Sequence, residues 1–192
     1  IRLFLTHTLS AMSAYCNFVS QLEIDHLHRI YHDTAYGFPI KEDNELFGRL
    51  ILEINQAGLS WTTILKKEQN FRKAYHAFNI KKIASYKDKD RERLLNDAGI
   101  IRNRLKVDAA IANAKTILGL QKEFGSFKAW LDHYHPLDKT EWTKLFKKTF
   151  RFTGGEIVNE FLVSTGYLPN AHHENCPVFK KTVKAKPAWM KG

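Results

Sequence analysis

Apolar residues recur every three to four positions along most of the chain, the period of a helix with one buried face. Leu46, Leu50, Glu53 and Ala57 stand at i, i+4, i+7 and i+11, with Asp43 as the expected N-cap and Gly58 as the stop. A short helix is expected from about Ser60, carrying Trp61, Ile64 and Leu65. A separate amphipathic segment follows through Phe71, Ala74, Tyr75 and Phe78. The stretch 88–97 (DKDRERLLND) predicts a charged surface helix anchored by Leu94 and Leu95 and ending before Gly99. A longer helix then places Val107, Ile111, Ala114 and Leu118 on one face. Two more are predicted at 126–134 and 139–148, separated by Pro136, and another at 156–165 through Ile157, Phe161 and Leu162. No segment alternates with the period of a strand, so the predicted fold is all-α. From Val178 the chain holds Lys180, Lys181, Lys184, Lys186 and Lys191, which predicts a basic, mobile and solvated tail over 179–192.

Charge adds the first functional information. The 192 residues carry 30 Lys+Arg against 20 Asp+Glu, a formal +10 with a pI near 9.6. That excess suits a polyanionic partner such as nucleic acid, and equally a basic, soluble surface. A chain of this length buries roughly 70% of its unfolded surface and needs no disulfide scaffold. No apolar run approaches the ~20 residues of a membrane-spanning helix. Two cysteines and no clear export signal predict a reducing, cytoplasmic setting. The apolar run in 1–11 is interrupted by Arg2 and His7, so those residues read as a leader or remnant, with Met12 as a start and 12–178 as a single domain.

Three groups of residues have chemical meaning. In 94–115 (LLNDAGIIRNRLKVDAAIANAK) a helix, a turn at Gly99 and a second helix follow one another. A glycine there allows positive φ, and the second helix's first turn presents free N–H groups beside Arg102, Arg104 and Lys106. That arrangement is a helix-hairpin-helix able to grip a phosphate without reading sequence; an ordinary helical hairpin with a basic edge has the same pattern. Glu53 falls in the apolar stripe of its helix, where a carboxylate must find a partner or a ligand. Tyr31, Tyr36 and Trp61 offer flat faces nearby, so a cationic planar ligand fits, as does a buried ion pair among core aromatics. Finally, His172 and Cys176 are spaced H-x3-C, and Cys16 and His32 lie upstream. Two Cys and two His suffice for a tetrahedral structural Zn²⁺, with His173 able to replace His172 and His26 or His28 able to replace His32. Two thiols or one long-range disulfide are the alternatives.

Taken together, YHDTAYGFP (31–39), LILEINQAGLSWTTILKK (50–67), RLLNDAGIIRNRLKVDAAIANAK (93–115) and FRFTGGEIVNEFL (150–162) resemble the DNA-3-methyladenine glycosylase I family, from Cys16 to Cys176. The resemblance implies a helix-hairpin-helix glycosylase that removes 3-methyladenine from alkylated double-stranded DNA and leaves an abasic site. It places Tyr31 in the base pocket, Glu53 against the extruded base and Trp61 stacked on it. It also implies zinc on Cys16, His32, His172 and Cys176, joining the terminal regions. Tyr36 stands where the family pattern has Trp, the Cys-to-His spacing is longer, and TGGE (153–156) replaces a less glycine-rich turn.

The expected mechanism extrudes the nucleotide, with Leu59 filling the gap and Gly99, Arg102, Arg104 and Lys106 holding the backbone. No lysine is placed as a nucleophile, and Asp108 is not assigned the acid role that other helix-hairpin-helix glycosylases give an Asp near this point. A monomeric, monofunctional hydrolase is therefore expected. The alternatives are a non-catalytic damaged-DNA-binding module, or a glycosylase for another small alkylpurine.

Overall fold

The computed structural model describes residues 14–191. The readings made for 1–11 and Met12 lie outside these residues. The described chain is helical and contains no strand: α1 (Ala14–Ser20), α2 (Leu27–Thr34), α3 (Asp43–Gln56), α4 (Trp61–Ala74), α5 (Ile80–Ala84), α6 (Asp88–Asn96), α7 (Arg104–Phe124), α8 (Phe127–Tyr134), α9 (Lys139–Thr149), α10 (Gly155–Ser164) and α11 (Phe179–Lys184), then a 3₁₀ turn (Ala188–Lys191). No helix among them is long and apolar enough to cross a membrane.

The predicted stripes become the core. Leu46, Leu50 and Ile54 of α3 are fully buried, with Ile64 and Phe71 of α4, Val107, Ile111 and Ala114 of α7, and Phe161 and Leu162 of α10. α3 lies against α4, α7, α8 and α10, so it is the central beam. Its middle residue Gly48 lets Phe78 close in: a Cβ there would stand 2.4 Å from the Phe78 ring. Helix starts follow local chemistry. Ser60, Asn79, Asn103 and Ser126 each accept a backbone N–H from the first turn of their helix, and Asp138 with Glu141 closes a capping box on α9.

Four sequence readings change. Asp43 is not the cap of α3, which starts after Glu42. Its carboxylate instead accepts the N–H groups of Phe127 and Lys128 at 2.7 and 3.0 Å and the Gln121 amide at 2.7 Å, stapling the first turn of α8 to α3. The segments from Ser60 and Phe71 are one continuous helix, α4, and the chain turns only at His76–Phe78, where three residues have positive φ. Gly99 is not in the positive-φ region. It is needed for close approach, because a Cβ would meet Asp97 Oδ1 at 2.9 Å and Asn70 at 3.3 Å. The stretch 179–191 is no loose tail either. It forms α11 and the 3₁₀ turn, buries Thr182 and Pro187, and docks through Trp189 N–H donating to Gly166 O at 3.1 Å. Its lysines still point to solvent.

Gly48→Ala is expected to lower stability by about 1–2 kcal/mol. The clash with Phe78 (~2–3 kcal/mol, the upper part of the overpacking range, since three ring atoms would lie within 3.0 Å) outweighs the ~1 kcal/mol that alanine gains in a helix. Urea unfolding measures it, and an unchanged or raised midpoint would contradict the packing argument.

Candidate active site

A cavity of about 380 Å³ opens between α1, α2, α3, α4 and α10. Its size falls within the ~300–1,000 Å³ of small-molecule sites. Tyr15, Tyr31, Tyr36 and Trp61 wall it, with Glu53, Gln56 and Glu160 as polar groups. Thus the structure brings together all four residues predicted to meet a base. The aromatic faces are set at angles to one another: Tyr31 to Trp61 at 5.2 Å and 57°, Tyr31 to Tyr36 at 5.7 Å and 44°, and Tyr15 to Tyr36 at 5.4 Å and 81°. The cavity is a box with aromatic walls rather than a collapsed stack.

Glu53 is 4% exposed. Burial pushes its carboxyl up to about 8, and the Glu160 charge acts in the same direction, while the Arg49 guanidinium and a Ser164 hydrogen bond oppose them. Arg49 itself is held elsewhere, donating to Tyr31 Oη at 2.9 Å with its guanidinium 5.0 Å from the Tyr31 ring centre. Burial also raises the Tyr31 and Tyr36 phenols far above their usual range, so both remain neutral donors. Tyr36 Oη donates to Glu160 Oε2 at 3.4 Å.

Sequence reasoning missed Tyr15 and Glu160. Tyr15 belongs to a short helix with no stripe to read. Glu160 carried a weaker form of the Glu53 signal, with apolar Ile157 at i−3 but polar Ser164 at i+4 on α10.

Behind the Tyr15 and Tyr31 wall, Cys16, His32, His172 and Cys176 converge. All four are buried, and one ligand atom from each lies within 4.8 Å of every other. His32 Nε2 stands 3.3 Å from Cys16 Sγ and 3.7 Å from Cys176 Sγ. His172 Nδ1 is 3.1 Å from His32 Nε2, 3.7 Å from Cys176 Sγ and 3.8 Å from Cys16 Sγ. A tetrahedral zinc with bonds of ~2.0–2.1 Å to N and ~2.3 Å to S has ligand–ligand edges of about 3.3–3.8 Å. The outer ring nitrogens explain the orientation. His32 Nδ1 faces Asp33 Oδ1 at 2.7 Å, with Asp33 held by Arg29, and His172 Nε2 faces the Tyr36 carbonyl at 2.8 Å. With each outer N–H donated outwards, two nitrogen lone pairs face each other inside, an arrangement that calls for a cation between them. The two cysteines are not joined by a disulfide. The donor set fits zinc. Gly37, with φ +80°, brings the chain against Ala171 and His172 at this point; a Cβ would stand 2.5 Å from the Ala171 methyl.

The predicted phosphate-facing residues divide. Leu59 sits at the tip of the α3–α4 turn and is 40% exposed. Arg102 and Arg104 are exposed at the turn into α7. Lys106 is a correction. It is 5% exposed, and its ammonium donates to Asn55 O at 2.9 Å and Ala57 O at 2.7 Å. It closes the carbonyl end of α3, whose unsatisfied C=O groups attract a buried cation. The Gly99 turn is pinned to α4 by Lys67 Nζ on Ala98 O and Gly99 O and by the Asn70 amide on Gly99 O.

This helical architecture recurs in known proteins. A solved 3-methyladenine DNA glycosylase I superposes with a TM-score of 0.73 and 32% identity, over 82% of this chain and 96% of that one. The Staphylococcus aureus 3-methyladenine DNA glycosylase I, studied for its recognition of 3-methyladenine, gives 0.77 and 31% over 88% and 97%. The DNA-3-methyladenine glycosylase 1 of Escherichia coli K12 is 36% identical over 84% of this chain and 94% of its own length. The Haemophilus influenzae DNA-3-methyladenine glycosylase is 34% identical over 86% and 98%. The family described as methyladenine glycosylase matches residues 21–144. The fold is thus that of an all-helical DNA glycosylase. The chain belongs to the methyladenine glycosylase family.

Glu53 has a stability consequence. Its folded pKa lies above the unfolded value, so the ionised group opposes folding increasingly as pH rises from about 4.5 to about 8. Glu53→Gln is therefore expected to raise the melting temperature at pH 8 and to change it little near pH 4. A destabilised variant at pH 8 would show that the carboxylate supports the fold.

Proposed function

We propose that this chain excises 3-methyladenine from alkylated double-stranded DNA by hydrolysing the N-glycosidic bond, leaving an abasic site. The observation that carries the reading is the buried carboxylate of Glu53 in a cavity walled by Tyr15, Tyr31, Tyr36 and Trp61. Methylation at N3 makes the adenine cationic, so the lesion is already a good leaving group. The protein's task is to extrude it, exclude most water and stabilise its charge.

Tyr31, Tyr36 and Trp61 line the space for the flat base, and Glu53 supplies the acceptor. A cation beside Glu53 offsets the desolvation that holds its proton, so the carboxylate ionises when the base arrives. Leu59 fills the gap left in the duplex. Arg102, Arg104 and the free N–H groups at the start of α7 hold phosphate, which makes α6 and α7 a helix-hairpin-helix in function. Lys106 is outside that set because two carbonyls occupy its ammonium. The same bonds remove it as an amine nucleophile, and among the described residues no lysine lines the cavity. The chemistry is then hydrolysis without strand cleavage.

Zinc on Cys16, His32, His172 and Cys176 supplies structure, a cross-link between the start and end of the domain. We infer a single catalytic domain from residue 12 to 178 with the lysine-bearing 179–192 packed on it, acting as a monomer in the cytoplasm.

Chromatography of bases released from methylated duplex DNA is expected to show free 3-methyladenine, with backbone breaks only after alkali. Glu53→Gln should slow release by about a hundredfold or more while duplex affinity stays within a few-fold. Binding without release would support the damaged-DNA-binding module instead, and preferential release of another base would reassign the alkylpurine. Metal analysis should give about one zinc per chain, lost in Cys176→Ser. A Cys16–Cys176 disulfide in the mass spectrum would overturn the zinc assignment.

A further inference from the structure

The cavity holds a second acid that the function above does not use. Glu160 reaches it from α10, the helix packed against the α3 helix that carries Glu53. Its Oε1 accepts the Asn159 amide at 3.1 Å, and its Oε2 has only the long contact with Tyr36 Oη at 3.4 Å. A carboxylate offers about four acceptor positions, so capacity remains on the side facing the cavity. Among the described residues, neither Glu53 nor Glu160 forms an ion pair. A chain with a formal +10 thus places two unpaired acids in one aromatic-walled cavity. Two like charges in a shared low-dielectric space repel each other, and an unpaired carboxylate so placed stays poorly compensated until a cation enters.

We propose that Glu160 is a specificity-determining residue that contacts the bound base and selects purines carrying positive charge and amino donors. The inference rests on the reading that this cavity receives the base, and it deepens that reading. Because Glu53 and Glu160 both line the space between the aromatic walls, a planar ring lying there would meet both acids. A neutral purine of the same shape gains the stacking but brings no charge to the two acids. A cationic one gains the stacking and offsets negative charge that the acids share.

The test uses free bases, so it does not depend on excision. The full chain, purified with zinc supplied, is titrated calorimetrically with 3,9-dimethyladeninium, a permanent cation, and with neutral 9-methyladenine. Wild type is expected to prefer the cation by about tenfold or more. E160Q should lose about tenfold in affinity for the cation and keep its affinity for the neutral base within about twofold. E160D, which keeps the charge at shorter reach, should fall between. Equal losses for both ligands in E160Q would show that Glu160 only shapes the cavity, and unchanged binding of both would remove it from recognition; either result overturns the proposal. If wild type releases no 3-methyladenine yet shows the Glu160-dependent preference, the glycosylase reading fails while the role of Glu160 stands.

Discussion

Keeping a carboxylate out of water is the constraint on which the rest of this structure depends. Glu53 lies on α3, the helix against which α4, α7, α8 and α10 pack, so it cannot rotate to solvent without dismantling the core. An acid so placed is a standing expense in folding free energy, and the surrounding wall must stay open for it to be of use. Four aromatic side chains hold that opening by meeting at angles, which leaves flat faces exposed to the space between them.

The four-residue clasp serves the same end. Its first two members are each preceded in sequence by a cavity tyrosine, Tyr15 before Cys16 and Tyr31 before His32, and its third is bonded to the Tyr36 carbonyl. Tyr15 is braced a second time, since its hydroxyl meets His28 Nδ1 at 3.0 Å and His28 Nε2 meets Thr62 Oγ1 at 2.8 Å, beside Trp61. With a metal between the four ligands, three of the four aromatic walls are anchored to one point. Its second consequence is topological. Residues 16 and 176 become neighbours, so the opening segment and the late loop restrain each other and the wall they support.

Much of the fold was legible because helical periodicity reports burial directly. The stripes through Leu46–Leu50, Val107–Ala114 and Phe161–Leu162 became core as read. The failures share a cause: their partners are distant in sequence. Asp43 has the composition of a cap and is one, but for α8, more than eighty residues on. Continuity of α4 was hidden by the unbroken polar run from Lys66 to Asn70, which interrupts the apolar spacing between Leu65 and Phe71. The basic end segment docks through residues such as Thr182 and Pro187 that stand between exposed lysines, so its charge masks its packing face. In the site, Tyr31, Tyr36, Glu53 and Trp61 line one cavity, whereas Glu160 lies in a stretch whose sequence signal is its apolar positions. Lys106 was grouped with its basic neighbours because sequence records its charge and not the helix end that claims it.

That lysine has a mechanical meaning. Its backbone belongs to the first turn of α7, and its ammonium ends on the carbonyls of Asn55 and Ala57, two residues before Leu59. Lys67 and Asn70 tie the other side of the same turn to α4, the helix that begins just after Leu59. The loop bearing Leu59 and the turn bearing Arg102 are therefore geared together from both sides. Under the function proposed above, a load taken up by the arginines would reach the leucine through these bonds, with the two segments moving as one part.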